Sequence, residues 1–143
     1  MWYAVAPMQT PDFMRTSGRF ATFAFCVFAA MAIGAQQPQV ERRVLLQQDV
    51  PAPGYQNVMV AVTVPAGWRE GRHTHPGMAI VHVLEGAMTL DHDGRMRTTY
   101  KAGETFAVDA GKVHEGMNLG TTAVKAIASF VVEKGKPLTS QVP

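Results

Sequence analysis

From residue 40 onward the chain is written in short alternating runs closed by glycine and proline, and this rhythm limits the folds open to it. Asn57 to Val64 alternates around Val58, Val60, Val62 and Val64 and stops at Pro65-Ala66-Gly67. Apolar residues at every second position argue for a half-buried strand, which Pro and Gly then terminate. Val44 to Val50, closed by Pro51-Ala52-Pro53-Gly54, predicts a strand before it. Arg72 to His75 and Ala79 to Leu84, split by Pro76-Gly77, predict two more. Met88 to Leu90 and Met96 to Tyr100 flank Asp91-His92-Asp93-Gly94, where Asp-Gly suits a tight hairpin because glycine tolerates positive φ. His92 is thereby expected in a solvent-exposed turn. Thr105 to Val108, Val113 to Glu115 and Ala123 to Val132 supply the rest. Eight or nine short strands, with no amphipathic helix after residue 36, predict an all-β sandwich or barrel. Lys134 to Pro143, with two prolines and little apolar content, reads as a flexible C-terminal tail.

The first 35 residues follow a different rule. Arg15 and Arg19 precede a charge-free apolar run from Phe20 to Ala35 that ends in Ile33-Gly34-Ala35 before a polar Gln36-Gln37-Pro38-Gln39. This is the layout of a secretory signal, and its apolar stretch of about 16 residues is short for a bilayer span. Residues 1–35 are therefore expected to form a hydrophobic signal helix that is cleaved after Ala35, with Met14 a plausible true start. An uncleaved anchor is the rival reading. Cleavage would leave residues 36–133 as one domain, periplasmic or secreted, with the tail 134–143 behind it and no stable membrane span. Cys26, the only cysteine, lies inside the run, so the mature chain would carry no thiol and no disulfide. The formal charge of +2 falls to about +1 once Arg15, Arg19 and Asp12 are set aside, too little to imply nucleic acid as a partner.

Chemistry concentrates in the histidines. Residues i and i+2 of a strand point to one face, so His73 and His75 present two imidazoles to a single point. His114 follows 39 residues after His75, and a third imidazole on a neighbouring strand would complete a facial metal site. His82 lies three residues beyond Ala79, hence on the opposite face of that strand. Met78 and Met117 fall close to the candidate ligands, but methionine is mostly a core gap-filler. Asn118 reads as a turn residue rather than a ligand, and Glu115 points away from His114 in a regular strand. Arg69, Arg72, Arg95 and Arg97 cannot be assigned to the pocket or the surface from spacing alone.

The frame around these histidines resembles the two motifs of the cupin superfamily. Gly67, five residues, His73-Thr74-His75, Pro76-Gly77-Met78, Ala79, six residues and Gly86 follow the first, with Ala79 standing where the pattern has a metal-ligating glutamate. Gly103-x5-Asp109-x-Gly111-x2-His114-x3-Asn118 follows the second, with Asp109 in place of a proline. Sixteen residues, 87 to 102, separate them, as in small single-domain cupins.

The resemblance implies a small double-sheet jelly roll holding a divalent transition metal, whether Fe, Zn, Ni, Cu or Mn, on His73, His75 and His114. It also implies a small-molecule ligand or substrate, and a homodimer is compatible with it. Cupins with three histidines and a glutamate support manganese or nickel chemistry on oxalate, flavonols and similar anions. The three-histidine set here looks closer to iron-dependent cupin dioxygenases acting on thiols or β-diketones, although spacing identifies no general base. Three functional readings stay open: a metal-dependent dioxygenase acting on a small chelating substrate, a non-catalytic binding or sensing cupin, and a structural module with a vestigial site.

Overall fold

A computed structural model describes residues 38–143 of the chain; the expected signal helix 1–35, with Met14 and Cys26, lies outside the described residues. The strands are β1 (Glu41–Asp49), β2 (Tyr55–Val64), β3 (His73–Thr74), β4 (Met78–Glu85), β5 (Ala87–His92), β6 (Thr98–Lys101), β7 (Thr105–Val108), β8 (His114–Met117), β9 (Val124–Glu133) and β10 (Ser140–Gln141). They form two five-stranded sheets, in the orders β1-β2-β9-β4-β7 and β10-β3-β8-β5-β6. Every pairing is antiparallel. This is the all-β double-sheet jelly roll expected, and among the described residues no helix is long and apolar enough to cross a membrane.

The longest uninterrupted ladder joins β2 to β9, from Tyr55 opposite Glu133 to Val64 opposite Val124. Its alternation sends Val58, Val60 and Val64 of β2, and Val124, Ala126, Ala128 and Val132 of β9, into the interior. Fully burying one valine contributes about 1.5–3 kcal/mol. The second sheet answers with Met88, Leu90 and Met117. The buried cluster that joins the sheets contains Val64, Ala79, Val83, Met88, Leu90, Phe106, Val108 and Val124.

Two loops are tied by one side chain. Asn118 is 1% exposed, and its amide nitrogen donates to the carbonyls of Val64, Pro65 and Thr122 while its oxygen accepts from the Gly120 N–H. It is the turn residue its spacing suggested.

Two local expectations are corrected. Strand β5 runs two residues past Leu90 and takes in His92, which is 4% exposed rather than solvated. The turn starts one residue later, with the Arg95 N–H on the His92 carbonyl and Gly94 at φ +77°. The segment 134–143, expected as a loose tail, supplies β10, paired with β3 through Ser140 opposite Thr74 and Gln141 opposite His73. Its apolar content is low, but one well-placed residue suffices: Leu138 packs against the buried cluster of Val58, Val60 and Val132.

Between β3 and β4 the chain passes close to β9. A Cβ on Gly77 would lie 1.8 Å from the Val131 carbonyl oxygen, with backbone rather than a movable side chain as the obstacle. Gly77→Ala should therefore destabilise the domain by at least about 3 kcal/mol in urea unfolding. Gly54→Ala, at φ +81° with nothing within 4 Å, should lose only about 1–2 kcal/mol from its backbone conformation.

Candidate metal centre

His73 of β3 stands directly opposite His114 of β8, and His114 in turn stands opposite His92 of β5. His75, two residues along, joins the first pair. The ring centroids are 4.9 Å apart for His73 and His75, 4.2 Å for His73 and His114, and 4.8 Å for His75 and His114. All three are buried, at 1%, 6% and 3% exposure respectively. One ring nitrogen from each lies within 4.8 Å of the others.

Backbone carbonyls decide which nitrogen that is. The Nδ1 of His73 lies 2.9 Å from the Gly71 oxygen, that of His75 2.7 Å from the Leu138 oxygen, and that of His114 3.0 Å from the Lys112 oxygen. A carbonyl can only accept, so each Nδ1 carries the proton and donates. Each neutral ring then has its lone pair on Nε2. The Nε2 of His73 is buried without a hydrogen-bond partner. A buried acceptor left in this way loses about 1–3 kcal/mol unless something electrophilic meets it. Three oriented lone pairs, each backed by a carbonyl, fit a divalent transition metal.

Electrostatics keep the lone pairs available. Burial pushes the His75 imidazole below its ordinary range, with a smaller push from His73 and opposition from the Leu138 carbonyl. Burial takes His114 down to about 4, the Lys112 carbonyl opposing and the imidazoles of His73, His75 and His92 adding to the fall. At neutral pH a metal would not compete with protons for His75 or His114.

The remaining sequence candidates separate cleanly. His82 faces outward and holds the Thr105 hydroxyl at 2.8 Å. Met78 is 41% exposed and Met117 is fully buried. Glu115 points away from the imidazoles and accepts from the Nε and Nη2 of Arg69 at 3.0 and 2.6 Å, which holds its carboxyl below the usual range. Arg72 pairs with Asp93, Arg95 with Asp109 and Arg97 with Asp91. None of these four arginines lines the cavity beside the histidines.

That cavity, of about 200 Å³, lies between the sheets and is bordered by His75 and His114. Its walls are otherwise mostly apolar, including Val60, Val62, Val81, Met88, Leu90, Phe106 and Phe130, with Arg42, Glu70 and Thr139 as the polar exceptions. Three small side chains, Ala79, Ala126 and Ala128, line it as well and leave the room open. Ala79 is 1% exposed.

Four features escaped the sequence reading. Glu70 and Arg42 line the cavity and pair with each other at 2.9 Å. Glu70 Oε2 also lies 3.5 Å from His73 Nε2. His92 is buried, donates from Nδ1 to the Asp93 carbonyl at 3.0 Å, and stacks on His114 with centroids 6.3 Å apart. Leu138 reaches the site with its carbonyl. For His92 a signal was present, since it continues the period-2 series Met88, Leu90, His92.

Comparison with known proteins agrees with this architecture. A family model described as a cupin domain matches residues 60–133. No curated protein matches the sequence. Among solved structures, a conserved protein with a double-stranded β-helix domain from Klebsiella pneumoniae is 20% identical, covering 74% of this chain and 89% of that one at a TM-score of 0.59. A cupin superfamily protein from Desulfitobacterium hafniense is 17% identical, with 69% and 83% covered at 0.56. These two likenesses speak to fold alone. A predicted oxalate decarboxylase from Thermotoga maritima is 26% identical, with 65% and 80% covered at 0.56.

The depressed proton affinities set a pH dependence. In the unfolded chain the imidazole of His114 protonates near 6.5, in the fold only near 4, so between these values the unfolded state binds more protons and stability falls as pH falls. His75 acts in the same direction. Melting temperatures of the metal-free chain should be level above pH 7 and drop between about 6.5 and 4, and replacing His114 by Gln should flatten that drop.

Proposed function

The chain belongs to the cupin domain family, and on that premise we propose that it is an exported metal-dependent oxygenase. Its substrate would be a small molecule with a metal-chelating head and an apolar body. The single observation that carries the reading is the set of three buried imidazoles whose Nδ1 protons are all committed to backbone carbonyls. His73, His75 and His114 would hold the ion. Once bound, the metal supplies Lewis acidity, open positions for a chelating substrate and, if it is iron, redox chemistry toward dioxygen.

The chain's own residues perform the rest. Gly71, Lys112 and Leu138 fix ring orientation through their carbonyls, and partners of this kind commonly control affinity. The valine and phenylalanine walls exclude water and select the substrate's body. A small dianion such as oxalate would lose its hydration against those walls, and the one guanidinium on the cavity, Arg42, is already paired with Glu70. The likeness to a predicted oxalate decarboxylase therefore supports metal-assisted chemistry in this fold, while the cavity supports a more apolar substrate. Export rests on the Arg15, Arg19 and Phe20 to Ala35 pattern.

Replacing His73, His75 or His114 by alanine should remove most Fe(II) and Zn(II) binding in calorimetry, whereas the outward-facing His82→Ala should bind as the wild type does. Deleting residues 137–143 removes the Leu138 carbonyl from His75 and should weaken binding about 10- to 100-fold. Oxygen consumption by the iron-loaded chain, screened with apolar β-diketones and thiols, tests catalysis. Tight ligand binding without consumption would replace the oxygenase reading with a binding or sensing role, and the absence of any metal binding would leave a vestigial site.

A further inference from the structure

We propose that Glu70 is a fourth ligand, giving the centre a carboxylate oxygen from a different point of the chain than the family pattern, whose glutamate position holds Ala79. This rests on the three-histidine metal reading above. It makes the site a three-nitrogen, one-oxygen set suited to harder divalent ions such as Mn(II) and Fe(II).

The backbone explains how Glu70 arrives. Residues 68–70 run beside 116–118, with the Glu70 N–H on the Gly116 carbonyl and the Asn118 N–H on the Trp68 carbonyl, so this stretch extends the β3–β8 pairing. In an unbroken strand residues 70 and 73 would point to opposite faces. Gly71, at φ +78°, breaks the alternation and turns both side chains toward the same place.

The two carboxylate oxygens then divide their work. Oε1 accepts from the Arg42 guanidinium at 2.9 Å, while Oε2 stands 3.5 Å from the Nε2 of His73. In the neutral ring that Nε2 bears the lone pair, since Nδ1 donates to the Gly71 carbonyl. A carboxylate oxygen and such a lone pair face each other favourably only across a cation, a proton or a metal ion. Donors sharing one ion at about 2.0–2.2 Å each are separated by roughly 3.0–3.4 Å, close to what is seen.

His92 is the rival for the fourth place, as its Nε2 is also buried without a partner. Neither it nor Glu70 belongs to the convergent set of His73, His75 and His114, but His92 lies behind His114, with ring centroids 6.3 Å apart, and does not border the cavity. Glu70 does. Arg42 orients the carboxylate and is not itself a ligand.

The test uses the full chain titrated with Mn(II) and Zn(II) in a calorimeter, together with the visible absorption of its Co(II) form. Glu70→Gln should weaken Mn(II) by about tenfold or more and Zn(II) by less, and should change the Co(II) spectrum. Glu70→Asp keeps the charge but withdraws the oxygen by one methylene, and should show the same trend should the glutamine variant fail to fold. Unchanged Mn(II) affinity and an unchanged Co(II) spectrum in a folded Glu70 variant, with His75→Ala still abolishing binding, would overturn this inference and leave the three-histidine reading standing. Wild-type binding by His75→Ala would overturn both.

Discussion

Everything in the centre depends on three N–H···O=C bonds from imidazole to backbone. A buried histidine has two tautomers and two ring faces, and without an external reference its lone pair points nowhere in particular. Here Gly71, Lys112 and Leu138 supply that reference. Two of the three carbonyls come from residues just before the histidine they hold, so strand and ligand are set together. The third comes from 63 residues away, which makes the position of His75 a property of the whole fold. The C-terminal segment is thus an orienting element as well as the edge strand of its sheet.

The same interior reconciles two opposed demands. A domain of this size must bury apolar surface to be stable, yet a binding site needs space. Long strands with valine at alternate inner positions meet the first demand. Alanine at 79, 126 and 128 meets the second by withholding volume from the cavity wall. Surface charge is kept from interfering: Arg69, Arg72, Arg95 and Arg97 are each matched to a carboxylate. Exposed pairs of this kind contribute little stability, but they leave Arg42 as the guanidinium that borders the cavity.

How legible this was in the sequence follows from which rules are local. Strand period and Gly/Pro punctuation are local, and they placed nine of the strands with ends off by a few residues. The convergence of His73, His75 and His114 was legible through strand parity and motif spacing. Other features, Arg42 among them, were not. His92 was misplaced because the Asp93-Gly94 turn starts one residue later than Asp91-His92 suggested, so a strand end, the least certain part of such a reading, decided between buried and solvated. Glu70 was invisible because parity was the tool, and a positive φ at Gly71 is where parity fails. The tail was misjudged because average composition was used where a single anchor, Leu138, governs.

The arrangement also bears on what chemistry the cavity favours. An ion at one end of an apolar chamber is poorly screened, since the walls offer few dipoles to answer its charge and low polarity strengthens every interaction that remains. Three neutral imidazoles would leave a divalent charge undiminished, and the Glu70 carboxylate, paired with the Arg42 guanidinium at 2.9 Å, would offset it by no more than that guanidinium restores. An anionic chelating head would therefore be drawn to such a centre, while the valine and phenylalanine walls oppose charge anywhere else in the chamber. On the function proposed above, charge and wall polarity together favour a ligand that is anionic where it meets the ion and apolar beyond it.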